Sequence, residues 1–420
     1  MIWLLLLLPL ALFLLGVPIF ALLLTAASLT LLVALPMPPI ALHQVLFGGI
    51  DKYALLAVPF FVFAGELMNR GGIAERLVDW VLTLTGRLPG SLGIATVGTS
   101  TLMGAVSGSS PATVAAVGRS LYPSLLERGY SQRFSLGLIA SSGSIAIVVP
   151  PSIAMILYGA SAEQSIPKLF QAGLLPGLLI ALLMALYILV WARGRALGDR
   201  GSFSLQAFLL ASRRAWAALL MPVVVLAGIY LGWFSPTEAG GVACLYAILV
   251  ASLLYRSLSW RQILDAAGEA ALLTAQILVI VAAAGVFSWI LTVRGIPQSL
   301  VQAIVAMELS PPLFLLFVNL LLLAIGCLLD PTSAILVLTP LLLPLVLHLG
   351  IDPIHFGIIM TVNLSIGMFT PPFGLNLFVA QSVLSPDLAA IYRGILPFLA
   401  IQLVALAAVT YLPALSLVLL

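Results

Sequence analysis

The chain has 420 residues, of which 62% are hydrophobic and 7% charged, with 17 basic residues against 14 acidic ones and a mean hydropathy of +1.23. Soluble domains carry about 25% charged residues. A chain this apolar lacks the polar surface of a water-facing globule, which excludes a soluble enzyme and a nucleic-acid binder. Its apolar stretches of roughly 20 residues are helical in length, which also excludes an outer-membrane barrel.

In chain order, Met1 to Leu35 carries no charge. The run is too long for a signal-peptide core and has no basic leader, so it is expected to be retained; it is long for one helix, and Gly16-Val17-Pro18 could divide it into two short ones. Further spans are expected near 53–68, 134–159, 169–191, 215–234, 238–255, 270–292, 356–382 and 395–415. Two segments, about 89–117 and 312–338, fit neither one crossing nor two, because small polar residues interrupt each in its middle. Cys244 and Cys327 sit in apolar surroundings without CxxC spacing and are expected to pack, not to pair. His43, His348 and His355 have no zinc-ligand spacing, so no metal centre built on them is expected.

Basic residues orient the chain. The loop 193–214 holds Arg193, Arg195, Arg200, Arg213 and Arg214 and is placed in the cytoplasm. With the two interrupted segments treated as hairpins that re-enter, Arg70, Arg76, Arg87, Arg119, Arg128, Arg133, Arg256, Arg261 and Arg393 fall on the same side. Only Lys52, Lys168 and Arg294 fall opposite, and the C-terminus lies outside.

The sequence also repeats itself. Pro150-Pro151 and Pro371-Pro372 stand 221 positions apart (371 minus 150), and the same offset pairs Pro123 with Pro344 and Gly129 with Gly350. Upstream, Gly72-Ile73 and Leu77-Val78 match Gly295-Ile296 and Leu300-Val301 at an offset of 223 (295 minus 72). Five crossings separate Tyr53 from its counterpart near Gln276, an odd number, so the halves are expected to be inverted. Inverted repeats with an irregular hairpin and an interrupted helix in each describe a secondary transporter. The expected division is N-terminal scaffold helices over 1–52, a first repeat over 53–165 and scaffold helices over 166–275. A second repeat follows over 276–385 and a C-terminal helix over 386–420.

The chemistry is expected at the interruptions. The hairpin tips are 104–113, around Ser107-Gly108-Ser109-Ser110 and Thr113, and 326–334, around Gly326, Asp330, Thr332 and Ser333. Backbone turning inside a bilayer needs partners, and such tips can offer several oxygens to a dehydrated monovalent cation. The alternative is that Gly and Ser only permit close helix packing. The helix breaks are 148–152, Val148-Val149-Pro150-Pro151-Ser152, and 370–376, from Thr370-Pro371-Pro372 to Gly374 and Asn376. Tandem prolines remove two donors and end the helix. They leave free carbonyls suited to sodium and a fresh helix N-terminus suited to a carboxylate, unless each is a plain kink. Asp330 is either a cation ligand or a helix cap. Glu66, just before Asn69-Arg70, reads as an interfacial ion pair or cap, and Glu238 after Ser235-Pro236-Thr237 as a helix start.

At these residues the sequence resembles the large membrane subunit of tripartite ATP-independent periplasmic (TRAP) transporters, the DctM-like family. The likeness is carried by Val58–Ala74, Ser107–Thr113, Val149–Ser152, Leu338–Pro344, Gly350–Gly357 and Thr370–Asn376. Thr113 departs from members that carry Asp at that position. The resemblance implies an elevator-type, sodium-coupled carrier of the inner membrane with ten crossings and two hairpins, and no enzymatic activity. It also implies two partners, a small four-helix membrane subunit (DctQ-like) as a separate chain and a periplasmic solute-binding protein (DctP-like). Substrates would be organic acids such as C4-dicarboxylates or sialic acid.

Carried over, one sodium site uses Ser107, Gly108, Ser109 and Ser110 with Val149, Pro150 and Ser152. The other uses Gly326, Asp330, Thr332 and Ser333 with Thr370 and Pro371. Substrate would lie between the tips, near Ser109, Ser110, Thr113, Ser152, Thr332, Gly374 and Asn376. The competing expectation is a carrier of similar architecture that works alone, a sodium–dicarboxylate symporter or an ion antiporter. A channel would need a continuous polar pore, which two dead-end hairpins do not make.

Overall fold

A computed structural model gives the fold and describes all residues except 1, 35–37, 39, 87, 196 and 198–203. Arg87 and Arg200 of the cytoplasmic tally, and Leu35 at the end of the first apolar block, therefore lie outside the described residues. Among the described residues the chain is helical, without a strand. Six helices are long and apolar enough to cross a bilayer, or up to eight if each of two bent pairs forms one span. The protein is a polytopic membrane protein.

The first block divides as expected into Ile2–Leu14 and Ile19–Ala34, with Gly16 at φ +76° in the turn, a conformation costly for a side chain with a Cβ. A helix absent from the sequence reading, Ile40–Ile50, precedes Tyr53–Leu56 and Ala57–Arg70 and meets them at a bend of 56°. Polar and turn-forming residues at 48–52 interrupt what would otherwise be one apolar run, which is why only its second half stands out by hydropathy. Two shorter helices also escaped hydropathy, Ile73–Thr85 and Ile296–Ala306. In the first, Glu75, Asp79 and Thr83 alternate with the buried Leu77, Val78 and Val81, so its average is not apolar.

Two further corrections concern lengths. The interrupted segments are helix pairs with long second arms, Ser91–Ser107 with Ser110–Glu127 and Pro311–Gly326 with Pro331–His348. Both arms therefore run ten residues beyond 117 and 338, because Pro123, Pro340 and Pro344 are accommodated inside them. The basic loop is shorter than 193–214, since a helix starts at Leu205 and carries Arg213 and Arg214 on its first turns. Ser204 caps that start by accepting from the Ala207 N–H at 3.2 Å.

The remaining spans are the broken helix Gln132–Val148 with Ile153–Ala162, bent by 41°, then Ile166–Ala192, Leu205–Tyr230, Pro236–Leu249 continuing to Leu254, and Trp260–Val293. A second interrupted helix runs as Pro353–Gly367 and Leu375–Leu384, and Leu388–Tyr411 follows it. Helix boundaries keep the sequence offsets. Adding 221 to 110–127 gives 331–348, adding 221 to 132 gives 353, and adding 223 to 70 and 73 gives 293 and 296.

Small residues bring these helices into backbone contact. A Cβ on Gly137 would stand 2.0 Å from the Gly394 carbonyl oxygen, so Gln132–Ser142 and Leu388–Tyr411 cross with no room for a methyl group. Beside the crossing, Phe134 stacks on Trp191 at 3.6 Å and packs edge-on against Phe398.

The residues read as structural are so. Glu66 pairs with Arg70 at 2.7 Å, and Arg70 also reaches Glu269. Ser235 and Glu238 form a reciprocal cap. Both cysteines are free; Cys244 is buried, whereas Cys327 is partly exposed at the end of its helix.

Candidate functional site

The two tips and two breaks meet. Gly108, Ser109, Ser110 and Pro111 of the first tip, Asp330, Pro331 and Thr332 of the second, and Ile147, Ile153, Met368 and Leu375 beside the breaks line one cavity of about 340 Å³. Ala154 after the first break and Leu273, Gln276, Ile277 and Ile280 of the helix Trp260–Val293 complete the wall. Residues up to 267 positions apart in sequence (375 minus 108) thus share one chamber.

Four helix N-termini face it, those of Ser110–Glu127, Ile153–Ala162, Pro331–His348 and Leu375–Leu384, through Ser110, Ile153, Pro331 and Leu375. The first N–H groups of a helix have no intrahelical acceptor and carry the positive end of the macrodipole. Four such ends around one chamber make an environment for a small anion without an arginine. Among the described residues Asp330 is the only ionisable side chain in the lining.

The first tip is built by close approach. Helix Ser91–Ser107 ends at Gly108, which has φ +58°. A Cβ there would lie 2.7 Å from the Pro151 carbonyl oxygen, and one on Gly104 would lie 2.5 Å from Ala146 Cα. The tip therefore rests on the first break, backbone against backbone. Ser107 is buried and its hydroxyl accepts from the Ser109 N–H at 3.4 Å. Ser109 is half-buried and its hydroxyl has no protein partner among the described residues. Thr113 is fully buried and donates to the Ser109 carbonyl at 2.8 Å, inside its own helix.

At the first break Pro150 and Pro151 supply no N–H for the carbonyls of Ala146 and Ile147, and the peptide between them is cis. Val149 seats on Gly177, where a Cβ would come within 2.6 Å of its side chain. Ser152 caps the following half-helix by accepting from the Met155 N–H at 3.4 Å.

The second tip differs. Asp330 is the N-cap of Pro331–His348, accepting from the Ser333 N–H at 3.1 Å and from the Ser333 hydroxyl at 2.5 Å. It also lines the cavity, so one residue both caps the helix and borders the chamber. Gly326 meets Gly367 of the interrupted helix, where a Cβ on Gly367 would fall 2.4 Å from the Gly326 backbone. At the second break the Pro371–Pro372 peptide is likewise cis. The segment closes on itself. The Asn376 N–H reaches the Met368 carbonyl at 2.8 Å, the Gly374 N–H reaches the Thr370 carbonyl at 3.1 Å, and the Thr370 hydroxyl donates to Ile366 at 2.7 Å.

Asn376 ties the halves together. Its amide nitrogen donates to the Ser110 hydroxyl at 2.8 Å and to the Ala140 carbonyl at 3.0 Å, and the Ser110 hydroxyl lies 2.9 Å from its Oδ1. Both side chains are fully buried. Of the residues expected to meet substrate, Ser109, Ser110 and Thr332 line the cavity; Thr113, Ser152, Gly374 and Asn376 lie outside its lining. Of those expected at the sodium positions, Gly108, Ser109, Ser110, Asp330 and Thr332 line it. Ser107, Val149, Pro150, Ser152, Gly326, Ser333, Thr370 and Pro371 lie outside its lining. The wall formed by Trp260–Val293 went unread, although Gln276 as a lone amide in an apolar stretch is the signal that could have found it.

Comparison with known proteins follows this geometry. Residues 6–415 match the family described as "Tripartite ATP-independent periplasmic transporter, DctM component". The chain is 43% identical over 394 residues to the C4-dicarboxylate TRAP transporter large permease protein DctM of Pseudomonas aeruginosa, covering 94% of this chain and 92% of that one. It is 41% identical to the isethionate TRAP transporter permease protein DctMQ of Oleidesulfovibrio alaskensis, covering 95% of this chain and 63% of that longer protein. In fold it is similar to the efflux pump MtrF of Neisseria gonorrhoeae, with a TM-score of 0.64 at 14% identity, covering 96% and 94% of the two chains.

Proposed function

This chain belongs to the DctM family of TRAP transporter large permeases, and on that premise we propose that it carries a small organic carboxylate across the inner membrane in symport with sodium. The two repeats are inverted in the membrane, and the two tips with their breaks move as one body against the remaining helices, as in an elevator. A small four-helix subunit and a periplasmic binding protein complete the system; the binding protein delivers the substrate. The observation that carries this reading is the convergence of four helix N-termini and two tips on one cavity of about 340 Å³. Ligand sites range over about 300–1,000 Å³, so this one suits a small molecule, and its dipoles favour an anion.

The same chamber gives a reason for coupling. A substrate carboxylate near Asp330 meets like charge in a medium of low polarity. At roughly 5 Å and an effective dielectric of about 20, the repulsion is about 3 kcal/mol. Sodium at the second tip, held by Asp330 and the oxygens of Thr332, removes that repulsion, and the cation and the anion then bind together. A second sodium is assigned to the Ser107–Ser110 tip and the Val149–Ser152 break, where hydroxyls and freed carbonyls are the hard oxygen donors that such a cation prefers.

The test is uptake into proteoliposomes holding this chain and its small partner, with an inward sodium gradient and with or without the binding protein. Uptake is expected to need both. Uptake with sodium alone would point to a carrier that works by itself, and uptake driven equally by a proton gradient would remove both sodium positions.

A further inference from the structure

Three cavities lie along one face of the helix Trp260–Val293. The central chamber meets it at Leu273, Gln276, Ile277 and Ile280. A second cavity of about 550 Å³ meets it at Glu269, and a third of about 430 Å³ meets it at Val281, Ala284, Gly285, Ser288 and Trp289. These positions recur at steps of three and four residues, so they form one stripe. At 1.5 Å per residue, Glu269 and Ser288 are about 29 Å apart, close to the hydrocarbon thickness of a bilayer. The two end cavities are themselves repeat-related. Ala115 and Arg119 line the first, and the residues 221 positions later, Leu336 and Pro340, line the other. Charged side chains mark both ends, Glu66 and Arg119 at one and Lys52 and Glu163 at the other.

Between those ends the stripe carries a single polar side chain, Gln276. It is exposed, and its amide has no protein partner among the described residues. An amide turned to lipid would leave its N–H and C=O groups unpaired, at a cost that an aliphatic residue avoids.

We propose that this face of Trp260–Val293 is the fixed wall of the substrate path and that Gln276 is a positioning residue on it, donating from Nε2 to the carboxylate of the passing anion at mid-depth. The role of the anion rests on the function proposed above; the path itself does not. A neutral amide suits the position, because it offers donors without adding charge to a chamber that already holds Asp330.

The test uses the complex in proteoliposomes after Cys244→Ala and Cys327→Ala. Gln276→Cys is expected to react with a small, negatively charged methanethiosulfonate added to the aqueous phase. Ala275→Cys, exposed and about 100° around the same helix from Gln276 on the side away from the stripe, is expected to stay unreactive. With succinate as the probe, Gln276→Leu is expected to lower kcat/KM by about ten-fold, the loss of one hydrogen bond to a charged group. Its half-saturating sodium concentration should stay unchanged, and Gln276→Asn should recover most of the loss. An unreactive Gln276→Cys, or equal reaction at 275 and 276, would overturn the path. Wild-type kinetics in Gln276→Leu would overturn the residue's role. Reactive Gln276→Cys together with sodium-independent uptake by the unmutated transporter would support the path and count against the sodium coupling alone.

Discussion

Asp330 carries two roles that substitution can separate. Its oxygens take the Ser333 N–H and the Ser333 hydroxyl, and Ser333 is fully buried. Asp330→Ala removes the cap, typically about 1 kcal/mol, and leaves two buried donors of Ser333 unpaired, at about 1–3 kcal/mol for a typical unsatisfied group. A loss of about 2–3 kcal/mol is expected, read as a lower Tm of the purified complex in detergent. Asp330→Asn keeps the shape and caps as well as Asp. Its carbonyl can accept the Ser333 N–H while its NH2 donates to the Ser333 oxygen, so stability should fall by less than about 1 kcal/mol. What Asn cannot supply is the charge. If the carboxylate holds sodium, the half-saturating sodium concentration for uptake should rise at least about ten-fold in Asp330→Asn, the equivalent of about 1.4 kcal/mol. A variant with wild-type sodium dependence, beside an alanine variant that is merely less stable, would reduce Asp330 to a helix cap and refute the coupling argument.

Other substitutions address the rest of the site. Gly367→Ala should lower Tm more than Gly326→Ala, because the new methyl meets backbone at 2.4 Å in the first case and a leucine methyl at 3.2 Å in the second; overpacking costs about 1–3 kcal/mol, and equal effects would refute the packing argument. A double-mutant cycle on Ser110→Ala and Asn376→Ala should give a coupling of about 0.6–1.7 kcal/mol, the range for hydrogen bonds between membrane helices, whereas additive losses would mean that the tie contributes nothing. Ser109→Ala should leave stability within about 0.5 kcal/mol, since its hydroxyl has no protein partner among the described residues, yet raise the half-saturating sodium concentration severalfold. Unchanged sodium dependence there would favour the packing role of that tip.

Much of the architecture could be read from local chemistry. A run without charge must lie in lipid, a tandem proline must end a helix, and a Gly–Ser cluster marks where backbone can turn. These rules identified both tips and both breaks, and the second-arm and broken-helix starts keep one offset, 110 to 331 and 132 to 353. Where local rules failed, averaging was the cause. Ile73–Thr85 mixes a buried apolar face with a charged one, and the helix Ile40–Ile50 is followed at once by a bend. The first turns of Leu205–Tyr230 carry arginines, which composition reads as loop.

The sequence by itself determined the class of the molecule, its repeat and the four places where helices are interrupted, because each follows from what a peptide group or a charge costs in hydrocarbon. Tertiary structure alone decided which interruptions face one another and which side chains reach the chamber. Asn376, expected at the substrate, is instead occupied by Ser110 and Ala140, while Gln276 on a helix outside both tips lines the cavity. Such outcomes depend on the rotation and crossing of helices that meet across more than 200 residues (376 minus 110 is 266). Rotation and crossing are set by close glycine contacts such as Gly137 with Gly394 and Gly326 with Gly367, and a residue's type does not record which partner it will meet.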